Sequence, residues 1–317
     1  MKIGLDMMGG DYAPLEAVKG IAAYLSAQPS ASHLFLIGDE NKVAPLLEEH
    51  GIPSNIYTIV HASQIIEMNE HPTKALKEKQ DSSIAKGFGM LAKGLIDAFI
   101  SAGNTGAMLV GTIFSIKTIE GVSRPTISSI VPKESGRTGL IVDVGINADC
   151  KPEMLNQFAT LAACYAQYML DIENPTVGLI NIGEEEGKGN LLAQATYPLL
   201  KENKAINFVG NIEGRDILID KADVMICDGF TGNILLKLLE SLHPLAQRQN
   251  ITHPYFGRFN FESHGGTPVL GVQKPVIIGH GISGHEAFMN MIFVAEKMLK
   301  SGLLEKMKEW LDKEKEG

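Results

Sequence analysis

Little in this 317-residue chain points to cysteine chemistry, membrane insertion or nucleic-acid binding. The three cysteines, Cys150, Cys164 and Cys227, are odd in number and show no Cys-x-x-Cys or Cys/His spacing, which excludes a disulfide or zinc framework. Positive charge is also short: 28 Lys plus Arg stand against 37 Asp plus Glu, a formal net charge of −9. Such a field repels nucleic acid and anionic lipid. Aromatic residues are only 6% of the chain. No Gly-x-Ser-x-Gly elbow and no His-Glu-x-x-His pair is present, so neither a hydrolase nucleophile nor a zinc protease is expected. The start, Met1-Lys2-Ile3-Gly4-Leu5-Asp6, reaches an acid too soon for a secretory signal. The long uncharged run Ala98 to Ile116 is interrupted by Ser101-Ala102-Gly103-Asn104-Thr105-Gly106, so it reads as strand, loop and helix rather than a membrane span.

Glycine, by contrast, is abundant: 33 residues, above the roughly 7% of average usage. Short apolar runs alternate with segments of helical period. Strands are predicted over Lys2–Asp6, Leu34–Ile37, Ile56–Val60, Ala98–Ser101, Ile127–Val131, Leu140–Val144, Val177–Asn181, Ile206–Val209, Val224–Cys227 and Val276–Ile278. Helices are predicted over Leu15–Ala27, Lys42–His50, Ser82–Lys93, Thr105–Thr118, Glu153–Leu170, Asn190–Lys201, Thr231–Leu242 and His285–Lys300. The alternation implies an α/β fold with a mostly parallel sheet flanked by helices. No linker divides the chain, so a single compact catalytic domain over 1–317 is expected, with an irregular aromatic-rich excursion at 243–265.

The glycines separate into distinct patterns. Gly279-His280-Gly281-Ile282-Ser283-Gly284 fits a dinucleotide fingerprint locally but lacks the second strand and acid that a dinucleotide needs. Gly183-Glu184-Glu185-Glu186-Gly187-Lys188-Gly189 is one residue short of a P-loop, lacks the Ser or Thr that holds magnesium, and carries three repelling glutamates. Gly103-Asn104-Thr105-Gly106 and Gly229-Phe230-Thr231-Gly232 match one another within longer, similarly spaced segments, each a strand followed by Gly-x-Thr-Gly and a helix. Loops of this kind gather at the carboxyl edge of a parallel sheet, where helix N-termini favour anions. A single such loop reads as a tight turn; two matching ones point to an oxyanion site.

Several of these segments together resemble the bacterial phosphate acyltransferase family, PlsX. They are Asp6-Met-Met-Gly-Gly-Asp-Tyr-Ala-Pro14, Ser101-Ala-Gly-Asn-Thr-Gly-Ala107, Asp143-Val-Gly-Ile-Asn147, Asn181 to Asn190, Gly210-Asn-Ile-Glu-Gly-Arg-Asp216 and Asp228-Gly-Phe-Thr-Gly-Asn233. The resemblance implies an isocitrate/isopropylmalate-dehydrogenase-like fold and a cytoplasmic homodimer without metal or cofactor. It implies transfer of a fatty acyl group from acyl carrier protein to inorganic phosphate. The acyl-phosphate then feeds a membrane glycerol-phosphate acyltransferase in phospholipid synthesis, as precursor of phosphatidic acid. Carried over by motif, Lys188 and Asn233 are the expected catalytic pair. Gly9, Gly10, Asn104, Thr105, Gly106, Thr231 and His280 are the expected substrate and phosphate contacts. An acyl-coenzyme A donor, or a non-catalytic scaffold that binds the carrier protein, are the alternatives.

The chain departs from the family pattern at three places. Ile146 replaces a usual alanine and is expected to shape the acyl tunnel, and Ile282 replaces a serine, which removes a hydroxyl contact. Between Glu240 and Gly265 the longer basic amphipathic helices of the family are missing; Tyr255, Phe256, Phe259 and Phe261 stand there instead, as a partner or membrane surface or as a loop folded onto the core. An acidic carrier protein needs a local basic patch, for which Lys117, Arg124, Lys133, Arg137 and Lys151 are available unless they form a solvated face.

Overall fold

A computed structural model describes residues 1–27 and 32–315. Its described residues form eleven strands: β1 (Lys2–Asp6), β2 (His33–Gly38), β3 (Tyr57–His61), β4 (Ala98–Ser101), β5 (Thr126–Pro132), β6 (Thr138–Val142), β7 (Thr176–Ile180), β8 (Asn207–Ile212), β9 (Val224–Ile226), β10 (Thr267–Leu270) and β11 (Val276–Ile278). All ten predicted strands are present. The eleventh, β10, was hidden by Pro268 and by the two glycines that precede it, which read as turn residues.

The predicted helices are also found, with one break. The helix begun at Thr105 is α-helical only to Gly111, then widens into a π turn over Thr112–Ile116, where the Thr112 hydroxyl donates back to the Met108 carbonyl at 2.7 Å. Shorter helices at Pro72–Glu78, Leu242–Arg248 and Pro254–Gly257, and a longer one at Leu303–Lys315, complete the set. The segment 243–265 is thus a series of short helical turns. No helix of the described residues is long and apolar enough to cross a membrane.

By contacts the chain clusters into two compact units, each described by its own run of paired strands. The first comprises Met1–Lys117 and Phe261–Lys300. Its strands run in the order β3-β2-β1-β4-β11-β10, parallel except for β10, which is antiparallel to β11. The helices Leu15–Ala27 and His285–Lys300 pack together there, and Gly20 allows their close approach: a Cβ at Gly20 would lie 2.5 Å from the Phe288 Cβ. The second unit comprises Thr118–Asn260 and Ser301–Gly317. Its order is β5-β6-β9-β7-β8, parallel except for β5. The helix Pro152–Met169 is buried along most of its length against this sheet, which explains its run of small and apolar residues, Ala159 to Cys164.

The expected basic patch is not built as the sequence suggested. Lys133 is buried, 1% exposed, with its Nζ donating to the Ile217 carbonyl at 2.6 Å. Arg137 is paired with Asp223 at 2.6 Å. Lys117 belongs to the other unit. Desolvation lowers the Lys133 ammonium to about 8 from 10.5, against the pull of Asp220 and Asp223. Between those values the unfolded chain binds more protons at this lysine than the folded chain does, so its contribution to stability rises with pH. The stability of the native protein minus that of a Lys133→Met variant, from chemical denaturation, is expected to increase from pH 8 toward pH 10.5; a flat difference contradicts the burial of a charged amine.

Candidate functional site

In the first unit the loops after the adjacent parallel strands β1, β4 and β11 carry Gly9 and Gly10, Asn104 to Gly106, and His280. Asp6, at the end of β1, is fully buried. One of its oxygens accepts from the Met8 N–H at 2.9 Å and the other from the Ser101 hydroxyl at 2.6 Å; Ser101 Oγ in turn accepts from the Gly103 N–H. Burial raises the Asp6 carboxyl above its usual range, and these hydrogen bonds, with others from Ser83 and Gly9, offset only part of that rise. Gly9 is required by proximity, because a Cβ there would lie 2.6 Å from Gly103 N. The Asp11 N–H donates to the Gly281 carbonyl at 2.7 Å, which laces the β11 loop to the β1 loop.

Asn104 is a structural clamp. Its Oδ1 accepts from the Ala107 N–H at 2.9 Å and caps the helix, while its Nδ2 donates to the carbonyls of Glu67, Met68 and Glu70. The side chain is 4% exposed with its hydrogen-bonding capacity used. Gly106 sits against Pro72, 2.4 Å from where its Cβ would stand, and Thr105 is exposed. The His280 ring lies over Phe261, with centroids 5.0 Å apart.

In the second unit the loops after β6, β9, β7 and β8 lie side by side at one edge, because these four strands are parallel neighbours in that order. The β6 loop is organised by Asp143, which is fully buried. Its Oδ2 accepts from the Asn147 N–H at 2.7 Å and from Asn147 Nδ2 at 2.8 Å; its Oδ1 accepts from the N–H groups of Gly145, Ile146 and Ile127 at 3.2–3.4 Å. The helix Gly229–Glu240 seats directly on this loop: a Cβ at Gly232 would lie 1.9 Å from the Asp143 carbonyl oxygen. Asn233, exposed on that helix, donates one N–H to the Val144 carbonyl at 3.1 Å. Its amide carries a second N–H for another acceptor. Thr231 uses both its N–H and its hydroxyl on Asp228, the N-cap, at 2.9 and 2.8 Å.

Lys188 lies on the β7 loop, next to the β9 connection that leads into the helix carrying Asn233. Adjacent strands are about 4.8 Å apart, so the two loops leave the sheet side by side. The loop backbone is fixed: Asn181 Nδ2 donates to the Lys188 carbonyl at 3.1 Å and Asn211 Nδ2 to the Glu185 carbonyl at 2.8 Å, while Lys221 bridges Asp216 and Glu184. Gly189, at φ +95, takes a left-handed conformation in which a Cβ would collide with Asn181 Oδ1. The Lys188 ammonium itself is half exposed and lies 4.0 Å from Glu185. A loosely held cation on a rigid loop can close on an anion at small cost.

The sequence reading thus located the loops but missed their organisers, Asp6, Asp143 and Asp228. Each is an aspartate at or just beyond a strand end with a glycine one to three residues later, a signal legible in the chain. Of the expected basic residues, Arg124 and Lys151 come together. They line a cavity of about 650 Å³ with Ile146, Met154, Asp149 and Glu153. The aromatic cluster is turned inward: Phe259 is buried, Tyr255 stacks edge-on against it at 5.2 Å and donates its hydroxyl to the Pro132 carbonyl. Among the sequence alternatives, the loop folded onto the core describes Tyr255 and Phe259. The cysteines are free thiols, and burial pushes Cys150 and Cys164 up to about 12 and Cys227 well above its usual range, so none supplies a thiolate near neutrality.

A family described as "Fatty acid synthesis protein" matches residues 1–306. The chain is 41% identical over 332 residues to the phosphate acyltransferase of Dictyoglomus turgidum, covering 99% of this chain and 98% of that protein. It is 42% identical over 330 residues to the phosphate acyltransferase of Aquifex aeolicus, covering 97% and 96%. Its fold matches a phosphotransacetylase from Streptococcus pyogenes with a TM-score of 0.64 at 19% identity, covering 95% of this chain and 94% of the other. The EutD phosphotransacetylase of Staphylococcus aureus gives a TM-score of 0.63 at 17% identity, covering 94% of each chain. The fold is therefore the mostly parallel α/β fold expected, and the chain belongs to the phosphate acyltransferase family, as an acyltransferase.

Proposed function

We propose that the protein transfers a fatty acyl group from acyl carrier protein to inorganic phosphate, and that the acyl-phosphate serves phospholipid synthesis through a membrane glycerol-phosphate acyltransferase. The observation that carries the reading is that Lys188 on the loop after β7 and Asn233 on the first turns of the helix after β9 follow adjacent parallel strands, each with donor capacity left over. Phosphate is an adequate nucleophile near neutral pH, so no activated serine or cysteine is required. A phosphate oxygen attacks the thioester carbonyl carbon, the carbonyl oxygen takes up the negative charge, and collapse breaks the carbon–sulfur bond and releases the carrier thiol, which takes the proton given up by phosphate. Lys188 holds the phosphate in line, and the second Asn233 N–H donates to phosphate or to the developing oxyanion. Thr231 with Asp228 is assigned to the rim of that site, and Gly9, Gly10, Thr105, Gly106 and His280 are assigned as substrate or phosphate contacts on the first unit's own loops. Asn104 acts there as a positioning residue.

The homodimer implied by the family is assigned to the outer face of the Gly229–Glu240 helix. Phe230, Ile234 and Leu238, spaced four residues apart, are 64%, 54% and 60% exposed. A one-sided apolar stripe in water calls for a partner surface.

Two measurements check these assignments. With purified protein, acyl carrier protein thioester and phosphate, mass detection is expected to show acyl-phosphate. Lys188→Ala and Asn233→Ala are each expected to lower turnover about 100-fold with the fold intact, and full activity in both removes them from the mechanism. By light scattering, the native chain is expected to be a dimer that Ile234→Glu/Leu238→Glu converts to a monomer; a monomeric native protein refutes the dimer.

A further inference from the structure

The cavity lined by Arg124 and Lys151 lies at the same edge of the second unit as Asn233. Its wall at Ile146 continues directly from Gly145, where a Cβ would be 3.0 Å from Asn233 Nδ2. Arg124 enters from the residues before β5, whose amino end reaches this edge because β5 runs antiparallel to β6. Lys151 caps the helix Pro152–Met169, whose first N–H groups face the same region. Neither cation forms an ion pair or side-chain hydrogen bond among the described residues, although Asp149 and Glu153 share the lining. A volume of about 650 Å³ suits a mid-sized organic ligand.

The lining discriminates among ligand chemistries. A hydrocarbon chain would strip water from four charged groups with nothing in return. A compact dianion would meet both carboxylates. A ligand with an anionic phosphate at one end, amide N–H groups along its length and apolar carbons between them satisfies every part: Arg124 and Lys151 take the phosphate, Asp149 and Glu153 accept from the amides, and Ile146 and Met154 cover the carbons. We propose that this cavity binds the phosphopantetheine arm of the acyl donor and directs its thioester end toward Asn233. This rests on the reading of the donor as an acyl thioester, and the same arm occurs on acyl carrier protein and on coenzyme A. Arg124 and Lys151 are then positioning residues for the donor, and Ile146 narrows the passage between the arm and the reacting carbon.

Calorimetric titration of the native protein with 4′-phosphopantetheine and with pantetheine tests the cavity without requiring turnover. The phosphorylated ligand is expected to bind about tenfold more tightly, as two partly exposed charge-assisted contacts would give. Arg124→Gln/Lys151→Gln, with an unchanged thermal transition, is expected to bind both ligands alike. Ile146→Trp, which fills the cavity and leaves both cations in place, is expected to weaken both. In turnover, the double variant is expected to lose about tenfold in kcat/KM for a phosphorylated donor, with acyl-pantetheine unaffected. Assays with acyl carrier protein and acyl-coenzyme A side by side identify which carries the arm, by which of them falls. Failure of the native protein to bind phosphopantetheine, or retention of the phosphate preference by the double variant, overturns the proposal. Absence of acyl-phosphate from every donor overturns the proposed function instead and leaves the titration to decide the cavity.

Discussion

Buried aspartates at the carboxyl ends of strands are the constraint on which the site depends. A desolvated carboxylate needs donors, and a turning backbone has N–H groups to give. Asp143 gathers four backbone N–H groups and the Asn147 amide, and so fixes the loop whose Val144 carbonyl receives Asn233. Asp6 does the same for the Met8 turn and, through Ser101, for Gly103. Asp228, only half-buried, spends its carboxylate on Thr231 and starts the helix that carries Asn233. Removing Asp143 would take the acceptor from four N–H groups at once, at about 1–3 kcal/mol for each that is buried.

A separation between groups already committed and groups still available follows from this. Asn104, Thr231 and Asn147 spend their polar atoms on the backbone or on an aspartate. Lys133 and Arg137, cationic in sequence, are spent on a carbonyl and a carboxylate. Around the second unit's loops, the Lys188 ammonium, one N–H of Asn233 and the two cations of the cavity remain available. A field that is net −9 overall is compatible with anionic substrates where such groups raise the local potential.

The strands were legible because their apolar runs are short and bounded by glycine or polar residues, and β4 and β9 are buried throughout. The matched Gly-x-Thr-Gly loops were legible too, one in each unit, yet their roles differ. In one the helix starts at Thr105 and is capped by Asn104; in the other it starts at Gly229, two motif positions earlier, capped by Asp228. Residue type marks a capping residue but does not say which residue will cap, because that depends on which carbonyls and carboxylates the neighbouring loop presents. The basic stretch failed for a similar reason. Charge in sequence carries no information about the burial that β5 imposes on Lys133, whereas the partnership of Arg124 with Lys151 required the path of the chain from β5 through β6 to the next helix. The division into two units was invisible because no linker composition marks it; the chain leaves the first unit after Lys117 and returns at Phe261 through ordinary structured residues.

That return path constrains the order of synthesis. In the first unit β4 pairs with β1 on one side and with β11 on the other, through Val276 to Ile278. While the ribosome is still adding the intervening residues, the β4 edge next to Phe99 and Ile100 has no strand to cover it. Vectorial folding therefore leaves an apolar, hydrogen-bond-hungry edge exposed until the last portion of the chain emerges, which is the period when chaperone protection matters most for this protein.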